Sequence, residues 1–126
     1  MNWRRLGLVL VILLAIEIFY ISSIPPPEGL KAGNRIIQIA YHFIVFALFT
    51  FFLYLTIYAK EPKDNFWFAF IFSIFYAIAD ELHQLFVPNR VCSTNDIFID
   101  FLGIIFGTIL FSIIHGGKLR DERIKD

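Results

Sequence analysis

The sequence predicts an all-α polytopic membrane protein: four transmembrane helices in a compact bundle, with both termini on the cytoplasmic side. Three observations predict it. The 126 residues are 58% hydrophobic and 18% aromatic, with a mean hydropathy of +0.69, too apolar for a soluble domain of this size. Four apolar stretches are separated by charged or turn-forming residues; three are long enough to cross a hydrocarbon core of roughly 30 Å, and the third reaches that length with the polar residues that follow it. Backbone polar groups in lipid must be satisfied internally, which leaves helices or closed barrels, and four spans cannot close a barrel. Residues 1–126 read as one domain without internal repeats.

The first helix is expected over about 6–24. It stops at Pro25-Pro26-Pro27, where fixed φ and missing amide donors prevent continuation. Its opening, Trp3-Arg4-Arg5 before an apolar run, resembles that of a signal peptide. The run is too long, lacks an Ala-x-Ala-like end and carries Glu17, so a retained helix is expected. The second helix is expected over 36–59, closed by Lys60-Glu61-Pro62-Lys63-Asp64, and the third over 66–85, apolar only as far as Ala79. The fourth is expected over 97–115, closed by Gly116-Gly117.

Orientation follows from retention of Lys and Arg in the cytoplasm. With both termini inside, that side holds Arg4, Arg5, Lys60, Lys63, Lys118, Arg120, Arg123 and Lys125, against Lys31, Arg35 and Arg90 outside. Trp3 and Trp67 then fall near cytoplasmic helix ends, as an aromatic belt requires. Eleven basic and eleven acidic residues leave no net charge to attract nucleic acid. The single cysteine, Cys92, excludes an intrachain disulfide and a thiolate metal cluster.

The polar run Asp80-Glu81-Leu82-His83-Gln84-Leu85-Phe86-Val87-Pro88-Asn89-Arg90 interrupts the third apolar stretch. From Phe66 to Ala79 a helix climbs only about 20 Å, so the acidic pair is reached before the outer boundary of the membrane. By the same rise Asp100, His42 and Glu17 fall within roughly 4 to 10 Å of that surface. Polar groups from all four helices therefore converge on one depth. Ionisable groups in lipid cost enough to require partners or a wet cavity. Helical spacing puts Asp80, His83, Gln84 and Val87 on one face and Glu81 with Leu85 on an adjacent one. Asp96, Asp100, Gly103 and Gly107 form a stripe whose glycines permit close helix packing, and Glu17 lies at a depth suited to pairing with His42. Below Asp100 the fourth helix offers only Thr108 and Ser112 as polar interior groups, which argues against transport.

The segment Tyr76 to Leu110 resembles the VanZ-like family of small bacterial membrane proteins. The pattern is Asp80-Glu81-x-His83-Gln84-x-Phe86-x-Pro88-x-Arg90, then Asp96, Asp100, Gly103 and Gly107, with Ser22-Ser23-x-Pro25 and His42-Phe43 upstream. The chain departs from the family at Asp100, usually Asn, and at Ile39 and Phe46, commonly Lys and Tyr. The resemblance implies a multi-pass protein of the bacterial cytoplasmic membrane connected with the cell envelope. Its founding member is linked to reduced susceptibility to the glycopeptide antibiotic teicoplanin.

Three functions fit these residues. In the first, an outward polar site built from His42, Gln84, Arg90, Asp96 and Asp100 binds a membrane lipid or lipid-linked envelope precursor, with Arg90 on a phosphate. In the second, an intramembrane hydrolase or transferase uses Asp80, Glu81 and His83 for acid–base chemistry on a headgroup. There the same carboxylates and histidines, including Asp96, Asp100 and His42, are able to ligate a divalent ion. In the third, the cluster is an ion-pair network in which Arg90 neutralises Asp96 or Asp80. The sequence names no cofactor and no oligomeric state.

Overall fold

A computed structural model describes residues 2–26, 35–58 and 66–124. Pro27, Lys31, Ala59, residues 60–64 and Lys125, all used above, lie outside the described residues. Four helices follow in order: α1 (Trp3–Ser23), α2 (Arg35–Tyr58), α3 (Phe66–Gln84) and α4 (Thr94–Ile124). Each is long and apolar enough to cross a membrane, and the chain is a multi-pass membrane protein. Asn2 caps α1 by accepting a hydrogen bond from the Arg5 amide at 3.4 Å, and Ile24, in an extended conformation before the prolines, ends it.

α4 departs from expectation at both ends. It begins three residues early because Ser93 caps it: the Ser93 hydroxyl accepts from the Asp96 amide at 3.3 Å, and Asp96 sits in the first turn, where the helix dipole favours an acid. It runs through Gly116-Gly117 to Ile124. Glycine costs a helix interior about 1 kcal/mol relative to alanine, and the residues that follow, Lys118 to Ile124, are mostly good helix formers that carry the helix past it.

α2 is the hub of the bundle. Its longest seam is with α4, and the reason is local: a Cβ on Gly103 would collide with the Phe43 carbonyl, and one on Gly107 with the Ala47 carbonyl. Two glycines one turn apart thus let the α4 backbone rest directly on α2. Gly7 repeats the device on α1, against Thr56 and the Phe52 carbonyl. Away from the polar run the core is aromatic, with Phe46, Phe49, Tyr54 and Phe111 fully enclosed. Tyr54 stacks on Phe111 at 5.0 Å and Phe49 on Tyr76 at 4.9 Å. Large apolar side chains such as Ile16, Phe75 and Ile113 point outward, where lipid is their solvent. Trp3 and Trp67 are exposed at the bundle end opposite the polar run.

Candidate functional site

The inward stripe of α3 reads Ala69, Ser73, Ala77, Asp80, Glu81 and Gln84, all buried. Small residues hold the helix close for three turns, and the same stripe then delivers two carboxylates and an amide between helices. The spacing argument had paired Glu81 with Leu85; instead Glu81 is fully buried and Leu85, one residue past the helix, is exposed. α3 has neighbours on two adjacent faces, so Asp80 reaches the Ser22 hydroxyl of α1 while Glu81 reaches the start of α4.

Glu81 is held at both oxygens. The Ser93 amide donates to Oε2 at 2.9 Å and the Gln84 side chain donates to Oε1 at 3.1 Å. Gln84 also donates to Asp80 at 3.2 Å, so one amide spans both acids. Its own oxygen accepts from Arg90 Nη1 at 3.3 Å. On the opposite side, His42 of α2 meets Asp100 of α4, Nδ1 to Oδ1 at 2.8 Å, both buried. His42, Glu81 and Asp100 each bring a donor atom within 4.8 Å of the others, from three different helices.

Two pairings that the sequence left open, Glu17 with His42 and Arg90 with Asp80 or Asp96, are not the ones formed. Glu17 accepts from the Tyr41 hydroxyl at 3.0 Å and leaves His42 to Asp100. Adjacent residues on a helix point about 100° apart, so Tyr41 serves the α1 side and His42 the α4 side. Among the described residues Arg90 forms no ion pair with Asp80 or Asp96. It donates through Nη2 to the Ile21 carbonyl at 2.8 Å and through Nε to the Ile24 carbonyl at 3.1 Å. These are acceptors at the C-terminus of α1, the negative end of its dipole. Asn89, with φ of 61°, turns the chain just before it, a left-handed conformation that asparagine adopts more readily than most residues.

The other expected site residues lie around this core. His83 faces α1: its Nε2 lies 2.9 Å from the Ser23 hydroxyl, and its ring stacks on Phe19 at 4.5 Å. Asp96, half-buried in the first turn of α4, adds negative potential at His42 and Glu81 without touching them. Cys92 is half-buried between α3 and α4; desolvation and the neighbouring charges of Glu81 and Asp96 push its thiol above the ordinary range, so it stays protonated at neutral pH.

Sequence reasoning missed Ser93, Ser22, Tyr41 and Tyr76 as members of the network. Ser93 had a signal, because Ser-x-x-Asp marks a helix start and so a free amide nearby. Tyr76, which donates to the Ala15 carbonyl at 2.7 Å, had none, being one aromatic among many.

A family model described as VanZ/LLP1 matches residues 7–115, so it takes in all four helices and the whole polar cluster. No curated protein and no solved structure matches the chain.

Proposed function

The chain belongs to the VanZ/LLP1 family, and on that premise we propose that it binds the headgroup of a membrane lipid or lipid-linked envelope precursor. The binding end is the extracytoplasmic end of the bundle, in the bacterial cytoplasmic membrane, and the consequence is a changed envelope, with glycopeptide susceptibility as its readout. One observation carries this reading: polar side chains of all four helices gather at a single end, beneath a half-buried rim of Ser23, His83, Arg90, Ser93 and Asp96. Intramembrane polar groups are costly enough that a cluster of this size marks a site by default. The rim mixes donors and acceptors. Arg90 spends one N–H at each of its three nitrogens on the protein, which leaves one on each terminal nitrogen for an outside acceptor such as a phosphate.

The test is native mass spectrometry of protein extracted gently from its own membrane, comparing the wild type with a His83→Ala, Asp96→Asn variant. A lipid or lipid-linked glycan retained by the wild type and lost from a variant of equal thermal stability supports the reading. Wild-type protein that emerges bare sinks it.

A second reading, hydrolysis or group transfer on the same headgroup, is favoured by the His42–Asp100 contact, since a carboxylate at Nδ1 orients an imidazole so that its other nitrogen is able to accept a proton. Release of a headgroup fragment from the retained lipid on incubation, absent in His42→Gln, distinguishes it from binding alone.

A further inference from the structure

We propose that His42, Glu81 and Asp100 form a binding site for one divalent cation of the Zn²⁺ type. Their donor atoms lie within 4.8 Å of one another, and all three residues are buried. The set is more than a group of acids, because Asp100, 0% exposed, has an enclosed Oδ2 that takes no hydrogen bond among the described residues. A buried carboxylate oxygen without a partner inside a membrane bundle is the kind of debt that a cation settles.

Charge points the same way. With the carboxylates ionised, Asp80, Glu81 and Asp100 carry three negative charges, and Arg90, linked to two of them through Gln84, supplies one positive charge. A metal-ligating histidine is neutral. A divalent ion then offsets most of the negative charge gathered there, to which the half-buried Asp96 adds. The donor chemistry selects among ions: an imidazole nitrogen suits Zn²⁺ better than Mg²⁺ or Ca²⁺, which prefer all-oxygen shells.

Geometry requires a small adjustment. Tetrahedral arms of about 2.0 to 2.1 Å put neighbouring donors roughly 3.3 Å apart. The His42–Asp100 contact, at 2.8 Å, has room for a proton and not for an ion between its atoms. Binding therefore releases that proton, opens this contact by about 0.5 Å, turns the Asp100 carboxylate so that Oδ2 also faces the ion, and draws Glu81 inward. The outer support is already in place, since the Ser93 amide and Gln84 hold Glu81 from behind. Three protein donors leave one position open to water. On the headgroup reading above, that position lies beneath the rim and is available to a phosphate oxygen.

The experiment uses the full chain in lipid nanodiscs after treatment with a chelator. Calorimetric titration with Zn²⁺ is expected to show one equivalent bound, with affinity at least about tenfold weaker in Glu81→Gln and in Asp100→Asn. Glu17→Gln, which removes a carboxylate bonded elsewhere, should bind as the wild type does. Should the first two variants fail to fold, the wild type alone decides: Co²⁺ should give the intense visible absorption of a four-coordinate site, and Zn²⁺ but not Mg²⁺ should raise the unfolding temperature. Absence of uptake by the wild type, or uptake unchanged in both variants, overturns the proposal. Zn²⁺ uptake by a protein that retains no lipid supports the metal site and ends the headgroup reading; retained lipid without Zn²⁺ uptake does the reverse.

Discussion

The two ends of the bundle treat polar side chains in opposite ways. Toward the end that carries the tryptophans, the hydroxyls of Thr56, Ser73, Thr108 and Ser112 each donate to the carbonyl four residues earlier in their own helix. Each is closed locally, and of the four only Thr108 also reaches across, to the Tyr54 hydroxyl of α2. At the other end Ser23, Tyr41, His42, Glu81 and Arg90 all make bonds that cross between elements. The first arrangement lets aromatic packing hold the helices together; the second makes polar contacts specify which helices are neighbours and in what register.

The comparison can be broken most sharply at Asp100. Replacing it with leucine leaves the buried His42 Nδ1 without its hydrogen-bond partner and should cost about 3 to 5 kcal/mol, read as a fall in unfolding temperature in detergent. The double variant His42→Leu, Asp100→Leu should recover much of that loss; failure to recover would mean that the pair does more than satisfy itself. Next is the seam beneath both ends. Gly107→Ala drives a methyl into the Ala47 carbonyl, backbone that cannot step aside, so α4 must lift from α2 at a cost of about 1 to 3 kcal/mol.

Arg90→Ala removes the donors that close α1 and should cost about 1.5 kcal/mol. Its signature is local: faster hydrogen exchange near the end of α1, with the lower bundle unchanged. A global rise in exchange would contradict the division into two ends. The smallest effect is expected for Ser112→Ala, within about 0.5 kcal/mol, because the lost bond is internal to one helix. A cost comparable to that of Asp100→Leu would erase the distinction between the ends.

Much of this was legible from residue order. Helical rise alone put Glu17, His42, Asp80 and Asp100 at one depth, and the Gly103/Gly107 spacing marked the face of α4 that packs closely on a neighbour. Partner choice was less legible. Glu17 and His42 share a depth yet belong to different seams, and charge alone offered Arg90 a phosphate or a carboxylate, whereas two of its hydrogen bonds go to carbonyls at the end of α1. Depth is one coordinate along the membrane normal; azimuth around each helix depends on which neighbour is present.

The sequence by itself determined the number of helices, their approximate limits and the level at which their polar groups meet. These follow from the length of apolar runs, from breakers and from a fixed rise per residue. Only the tertiary structure decided that Asp100 meets His42 and that Glu81 is buried on a second face of α3. The physical reason is that those outcomes depend on contacts between segments far apart in the chain, where the close approach of α4 to α2 permitted by two glycines sets which side chains come within bonding distance.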